Sequence, residues 1–335
     1  MIDRYSRQTL FKGIGKEGQK ILGRSMAVIA GCGGLGTVIA TALVRAGIGK
    51  VRIIDRDFIE YHNLQRQALF DEDDIKAQLP KAIAAERHLR RVNSSVQVKG
   101  IVADLNQANI ENLIIDADIV MDGMDNFETR FLINDACLKH RIPWVYGGAV
   151  SSYGMTMNII PGKPPCFRCF ASSPKPGTTL TCDTAGIISP TPFVIGSLQV
   201  AEAMKILLGA SEISQHLVIV DVWESSLDRI KIRPRPDCPA CGGQYQFLES
   251  ELGIRATSLC GQHAMQVLNP RMGNISLDEL ATRLKPLGDV SHNQFMLRFT
   301  ADGHDTVVFP DGRVIIKDTN DEAVARGLYT KYIGS

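Results

Sequence analysis

Along the chain the first strong pattern is a short apolar run, Ser25 to Ala30, which ends in glycines and is followed by an apolar segment reaching Ala46. A strand and then a helix fit those lengths. Lys50 to Asp55 alternates and is β-branched, so after a mostly polar, helical lead-in over residues 5–24 the chain opens as strand, helix, strand. The alternation continues with a helix over Pro80–Arg91, a strand over Val96–Val102, a helix over Gln107–Ile115, a strand over Asp118–Asp122, a helix over Glu128–His140 and a strand over Trp144–Tyr146. This succession predicts an α/β fold with a doubly wound, Rossmann-like, mostly parallel sheet.

After Gly147 the texture changes, and small and β-type residues predict antiparallel strands to Ile160. Pro161 to Pro192 is rich in Pro, Gly, Ser and Thr; at about 30 residues it exceeds the usual structureless loop, and such segments are functional or disordered. A buried helix over Phe193–Leu208 and a strand over Leu217–Val222 follow. The pattern then divides the chain into a domain over 1–245 and a small C-terminal α/β extension over 250–335. That extension reads as strand 264–268, helix 276–285, strand 294–299, a hairpin of 305–309 with 313–317 turned at Pro310-Asp311-Gly312, and helix 321–332. Its Arg298, Asp302, His304, Asp305 and Arg313 are scattered as on a solvated surface, which makes it an interaction or dimer-supporting module.

Composition narrows the partners. With 335 residues, 44% hydrophobic and 22% charged, the chain is globular and soluble, and Lys+Arg 37 against Asp+Glu 36 leaves no basic field for nucleic acid or anionic lipid. Gly31, Gly33, Gly34 and Gly36 interrupt the uncharged stretch between Arg24 and Arg45, so no membrane span is expected there. The N-terminus lacks an apolar signal region, and the cytoplasm is the expected location. Eight cysteines without an export signal point to metal ligands or reactive thiols rather than disulfides.

Gly31-Cys32-Gly33-Gly34-Leu35-Gly36 fits G-x-G-x-x-G after a strand, and Asp55 ends the next strand about 20 residues on, where an acid binds ribose hydroxyls. Alone, the motif favours a dinucleotide enzyme such as an NAD-dependent dehydrogenase. Asp57, Asn63, Gln65, Arg66, Gln67 and Lys81 change that reading, because extra cations suit the phosphates of a nucleoside triphosphate. Asp125 is either a Mg²⁺ ligand or, with Asn126, the cap of the helix that starts near Glu128. Cys166-x-x-Cys169 and Cys238-x-x-Cys241 supply four thiolates for a closed tetrahedral Zn²⁺ site; a redox pair is the alternative. Cys182, alone in the long loop, is a candidate nucleophile or a passive residue, whereas Cys32 and Cys137 read as packing residues.

In order along the chain, Arg7-Gln8, the glycine motif, Asp55, Asn63-Leu64-Gln65-Arg66-Gln67, Pro80-Lys81, Asp125-Asn126 and the two cysteine pairs resemble the ThiF/MoeB/HesA-type adenylyltransferases, bacterial relatives of the ubiquitin-activating enzymes. The resemblance covers about residues 1 to 245, and the whole chain is most similar to the longer molybdopterin-synthase or thiamine-type members. It implies ATP and Mg²⁺, attack on the α-phosphate by the C-terminal glycine carboxylate of a small ubiquitin-like sulfur carrier ending in Gly-Gly, pyrophosphate release, and later conversion to a thiocarboxylate. By position it implies Asp55 at the ribose, Asn63, Arg66 and Lys81 at the phosphates, Asp125 at the metal, and Arg7 at the triphosphate of the neighbouring subunit in a homodimer. Cys182 would serve sulfur transfer from a separate donor protein, since no rhodanese domain is present. No general base is required, because a carboxyl terminus with a pKa of about 3.3 to 3.7 is already ionised. The rival readings are a dehydrogenase, a non-catalytic nucleotide-dependent scaffold for a ubiquitin-like protein, and transfer of AMP to another acceptor such as a tRNA base.

Overall fold

Gly31 leaves β1 (Met26–Ala30) with φ +88°, and a side chain there would meet the Gly123 carbonyl oxygen at 2.6 Å, so glycine is what lets the first strand turn into α2 (Gly34–Ala46). A computed structural model describes residues 4–171, 185–249, 255–259, 263–268 and 275–334. Two compact units divide the chain, Met1–Ser250 and Glu251–Ser335.

In the first unit β1, β2 (Lys50–Asp55), β3 (Gln97–Val102), β4 (Ile119–Asp122) and β5 (Trp144–Val150) run parallel. Antiparallel β6 (Tyr153–Ile159), β7 (Leu217–Asp221) and β8 (Ser226–Ile230) extend them into an eight-stranded sheet of order β3-β2-β1-β4-β5-β6-β7-β8. The order reverses between β1 and β4, and the crevice at their carboxyl ends is where such sheets bind ligands. Helices α2, α4 (Lys81–Val92) and α8 (Pro190–Leu208) cover one face. Helices α5 (Ile110–Ile114) and α6 (Phe127–Lys139) cover the other, over a core that includes Val28, Val120, Trp144, Tyr146 and Phe167. By length and composition α8 can cross a membrane, but its Ile195, Gly196, Gln199, Val200 and Ala203 are buried, as in a core helix.

Several elements differ from the sequence reading. The lead-in is helical only in α1 (Gly15–Leu22), with turns before it where Gly13 lowers helix propensity. A short helix, α3 (Glu72–Lys76), hides in an acidic run that lacks apolar periodicity; the Asp71 carboxylate accepts the amides of Asp73 and Asp74 and starts it. Within Pro161–Pro192 lies α7 (Phe167–Phe170), and α9 (Gln246–Glu249) follows the second cysteine pair. Strand β8 was not predicted, because every one of its residues is exposed and no alternating burial marks it.

The two edges of this sheet are finished differently. On β3, Glu86 accepts the Gly100 amide at 2.7 Å and Arg90 donates to the Val98 carbonyl at 3.3 Å, which blunts the edge. The β8 edge lies beside Trp223, Leu227 and Ile230, 76%, 53% and 46% exposed.

The second unit is a six-stranded antiparallel sheet of order β11-β12-β13-β14-β10-β9. Its strands are β9 (Arg255–Leu259), β10 (Ala264–Leu268), β11 (Asp289–His292), β12 (Leu297–Ala301), β13 (His304–Val308) and β14 (Val314–Lys317). Helices α10 (Leu277–Leu284) and α11 (Glu322–Tyr332) pack on one face, burying Leu280, Leu284, Ala325, Tyr329 and Tyr332 against Val267, Phe299 and Ile316. Strands β9 and β11 were not predicted. Arg313, taken from sequence as surface, is fully buried, its guanidinium 3.6 Å from the centre of the Phe309 ring. Stacking on an aromatic face and the Asp311 carboxylate 3.8 Å from its Nε both help to offset that burial.

Candidate nucleotide site and cysteine cluster

No side chain caps α2, so its first amides face outward from the glycine turn. Uncapped N–H groups and the positive end of the helix dipole form an anion site. Gly36 is needed for a second reason: a Cβ there would lie 2.0 Å from the Gly31 carbonyl oxygen, so the helix could not approach its own turn.

Asp55, at the end of β2, is buried, and both its oxygens hold the backbone: Oδ2 accepts the Cys32 amide at 2.6 Å and Oδ1 the Asp57 amide at 2.7 Å. It therefore clamps the glycine turn to β2, a role the spacing did not reveal. Burial raises its carboxyl above the ordinary range, and Lys81 pulls the other way. Lys81 opens α4, is itself buried, and sits 3.2 Å from Asp57. Burial opposes its charge, but Asp57 and Asp55 overcome that and hold the ammonium above its usual pKa. Beside them Arg56, unnoticed in sequence, pairs with Asp104 at 2.8 Å.

Arg66 lies against the glycine turn, its side chain 3.8 Å from where a Gly34 Cβ would be, and donates to the His62 carbonyl at 2.9 Å. Gln67 is buried beside Gly33. Asn63 is buried and accepts the Glu60 amide at 3.0 Å, so in this structure it shapes the turn that carries Arg66. Asn126 caps α6, accepting the Thr129 amide at 2.9 Å, which leaves the Asp125 carboxylate exposed. One carboxylate supplemented by phosphate oxygens is a donor set that suits Mg²⁺. At the carboxyl ends of β1, β2 and β4 the structure thus brings together the glycine turn, Asp55, Asp57, Asn63, Arg66, Lys81, Asp125 and Asn126.

Arg7 is elsewhere. Its neighbour Tyr5 packs against Gly47 at the far end of α2, and Gln8 donates to the Ala46 carbonyl at 2.9 Å. A 13-residue helix is roughly 20 Å long, so Arg7 lies about that far from the glycine turn of its own chain. Cys182 and Cys260 fall outside the described residues. A shallow depression of about 790 Å³ lies at the amino ends of β1–β3, at the opposite edge of the sheet from the glycine turn; among its charged residues Arg52 pairs with Asp116 and Arg90 with Glu86.

Cys166, Cys169, Cys238 and Cys241 meet in space: Cys166 Sγ is 4.0 Å from Cys169 Sγ and 3.6 Å from Cys238 Sγ, and Cys169 is 3.6 Å from Cys241. A tetrahedron with Zn–S bonds of about 2.3 Å requires sulfurs about 3.8 Å apart, so the cluster fits zinc. Burial and the neighbouring sulfurs push the Cys166 thiol far up and Cys241 to about 11, whereas hydrogen bonds from the cluster lower Cys238, so a cation among the sulfurs would be what makes Cys166 and Cys241 thiolates. Helix α6 holds the cluster: Asn134 accepts the Phe167 amide at 3.0 Å and points its Nδ2 at Cys166 Sγ, 3.9 Å away. The buried Asp135 accepts from Phe247 N at 3.1 Å and Arg168 at 3.4 Å. Sequence reasoning missed this pair; the available signal was two adjacent polar residues inside an apolar helix.

The ThiF family model matches residues 5–240. The chain is 44% identical over 338 residues to the sulfur carrier protein ThiS adenylyltransferase of Bacillus subtilis (strain 168), covering 100% of both proteins. It is 37% identical over 243 residues to the SAMP-activating enzyme E1 of Haloferax volcanii, covering 72% of this chain and 89% of that protein. Among solved structures, E. coli MccB with ATP is similar at a TM-score of 0.63 and 26% identity, over 72% of this chain and 75% of that one. The match spans the lead-in, the glycine turn, Asp125 and the chain as far as Cys238, and on that extent the chain belongs to the ThiF family.

Proposed function

We propose that this protein uses ATP to adenylylate the C-terminal glycine carboxylate of a small ubiquitin-like sulfur carrier, releasing pyrophosphate ahead of thiocarboxylate formation. The observation that carries this reading is the convergence of the uncapped α2 amides, Arg66, Lys81 and the exposed Asp125 carboxylate at one edge of the sheet. A carboxylate attacks an anionic phosphate only where cations neutralise the site and the two groups are held in line. Arg66 and Lys81 supply fixed positive charge, Lys81 held charged by Asp57 and Asp55. Mg²⁺ bound at Asp125 would neutralise further charge on the phosphates. Zn²⁺ at the cysteine cluster would tie the loop after β6 to the segment after β8. The 44% full-length likeness to the Bacillus subtilis ThiS adenylyltransferase favours the thiamine-type carrier over the molybdopterin-type one.

The open β8 edge is where the carrier would rest. Val150 pairs with Tyr153, Tyr153 with Asp221 and Asp221 with Ser226, so the Trp223 turn lies at the same sheet edge as Asp125. Four strand spacings of about 4.8 Å separate β4 from β8, roughly 19 Å, which about six extended residues of a carrier tail would cross. We further read the protein as a homodimer: Leu10, Phe11, Phe193 and Val194 are exposed apolar residues, and Arg7, far from its own glycine turn, is free to complete the site of the neighbouring chain. Cys182 would act after adenylylation, its thiolate attacking the acyl-adenylate to form a thioester with release of AMP, or taking the outer sulfur of a donor protein's persulfide, the donor leaving as its thiol.

The deciding experiment is carrier-dependent ATP–pyrophosphate exchange, with intact carriers and with carriers lacking the terminal glycines. Exchange that needs the intact tail supports the reading. Exchange without any carrier, or tightly bound nicotinamide in the purified protein, would reject it.

A further inference from the structure

We infer that Arg130, buried under the strand ends, is a positioning residue that holds the turn carrying Asp125 in its working place. The inference rests on the adenylyltransferase reading above. Its origin is a defect in the sheet. Strand β4 stays with β1 to the end, through Ala30↔Asp122, but pairs with β5 only at Val120↔Trp144 and Met121↔Val145. Beyond Met121 the two strands part, and on the sides that face each other Asp122 and Gly147 have no ladder pairing, in a buried place.

Two side chains from opposite faces fill the gap. From α8, Gln199 Nε2 donates to the carbonyls of Asp122 at 2.9 Å and Val145 at 3.1 Å. From α6, Arg130 Nε donates to Asp122 Oδ2 at 2.9 Å, while Nη2 donates to the carbonyls of Gly147 at 2.8 Å and Met124 at 2.5 Å. Asp122 completes the knot by accepting the amides of Met124 at 2.9 Å and Gly147 at 3.3 Å. The guanidinium lies 5.6 Å from the Phe127 ring centre and 5.3 Å from that of Tyr146.

The division of labour follows from where these bonds end. Gln199 joins strand to strand. Arg130 joins the strands to Met124, the residue before Asp125. A buried ion pair is a poor way to gain stability, since an apolar pair of similar volume commonly does as well. What the guanidinium adds is a rigid fork that fixes three acceptors at set directions, which a lysine ammonium does not reproduce. Placement of a catalytic group matters steeply, with a 1 Å error able to cost about 100-fold in rate.

The test compares Arg130→Lys with Gln199→Met in carrier-dependent exchange, alongside thermal melting, zinc content and hydrogen exchange of the loop. For Arg130→Lys we expect normal zinc, a KM for ATP within about twofold, a kcat lower by about tenfold to about 100-fold, and faster exchange of the amides from Gly123 to Asn126. Gln199→Met should lower Tm and leave kcat within about twofold. Should Arg130→Lys fail to fold, Asp122→Asn combined with Arg130→Met, which removes both charges, should fold and show the same loss of kcat. Wild-type kcat in either Arg130 variant, or an equal kcat loss in Gln199→Met, overturns the inference. If the wild-type protein itself supports no exchange with any carrier, the adenylyltransferase reading fails first and takes this inference with it.

Discussion

The two units handle charge in opposite ways. In the first, Asp55, Lys81, Asp122, Arg130 and Asp135 are buried; four of them gather near the carboxyl ends of the parallel strands, and Asp135 secures the cysteine cluster. In the second, the ion pairs of Asp302 with Lys331 and of Glu322 with Arg326 are exposed, and the core is built from Leu, Val, Phe and Tyr. Burying charge is costly unless geometry compensates it, so its concentration in one place marks a site under functional constraint. Among the described residues of the second unit no comparable metal-ligating cluster occurs, and Arg313 is its one buried cation, stacked on Phe309. The difference teaches that the chemistry belongs to the first unit.

The largest effect should come from the metal. Cys238→Ser should take bound zinc from about one per chain to near zero and cost on the order of 5 kcal/mol or more, because the binding energy of a structural zinc is folding energy. Metal analysis with melting checks it, and a zinc-free wild-type protein of equal stability would remove the assignment. Next come the charges of the site: Arg66→Ala, Lys81→Ala and Asp125→Ala should each slow exchange at least about tenfold, each contact being worth roughly 1.5 to 3 kcal/mol. Only Lys81→Ala should also destabilise the fold, since it leaves the buried Asp55 carboxylate without the ammonium that offsets its burial; Asp125→Ala should not, because Asn126 is the cap. An intermediate effect is expected on mixing inactive Arg7→Ala with inactive Asp125→Ala chains, where shared sites would restore part of the activity in heterodimers. No recovery would place Arg7 within its own chain or outside catalysis.

Two small effects sharpen the contrast. Cys182→Ala should leave exchange near wild type, since carboxylate attack needs no thiol, and any loss should appear in thiocarboxylate formation. In the second unit, Lys331→Ala should change exchange by less than about twofold, as expected for exposed ion pairs of small energetic weight. A tenfold loss there would erase the distinction between the units.

Much of this architecture was legible because it is local. The β1–α2–β2 opening follows from an apolar run, glycines and a β-branched run; Gly31 and Gly36 are demanded by backbone geometry, and Gly47 ends α2 with φ +82°. The C-x-x-C spacing likewise announces paired thiolates, whatever surrounds them. Less legible were elements without periodicity, such as α3, made by an aspartate cap, and β8, whose residues face solvent.

By itself, then, the sequence determined the strand and helix succession, the glycine turn, the two cysteine pairs and the polar set Asp55, Asp57, Asn63, Arg66, Lys81 and Asp125, because each is encoded within one turn, one strand or one spacing. Only the tertiary structure decided that Asp55 clamps the Cys32 amide, that Asn126 rather than Asp125 caps α6, and that Asn134 and Asp135 secure the cysteine cluster. The same holds for Arg130 and Gln199, which matter because β4 and β5 part after Met121. A divergence between strands is a property of how distant segments pack, and no local pattern records which buried carbonyls it leaves in need of a donor.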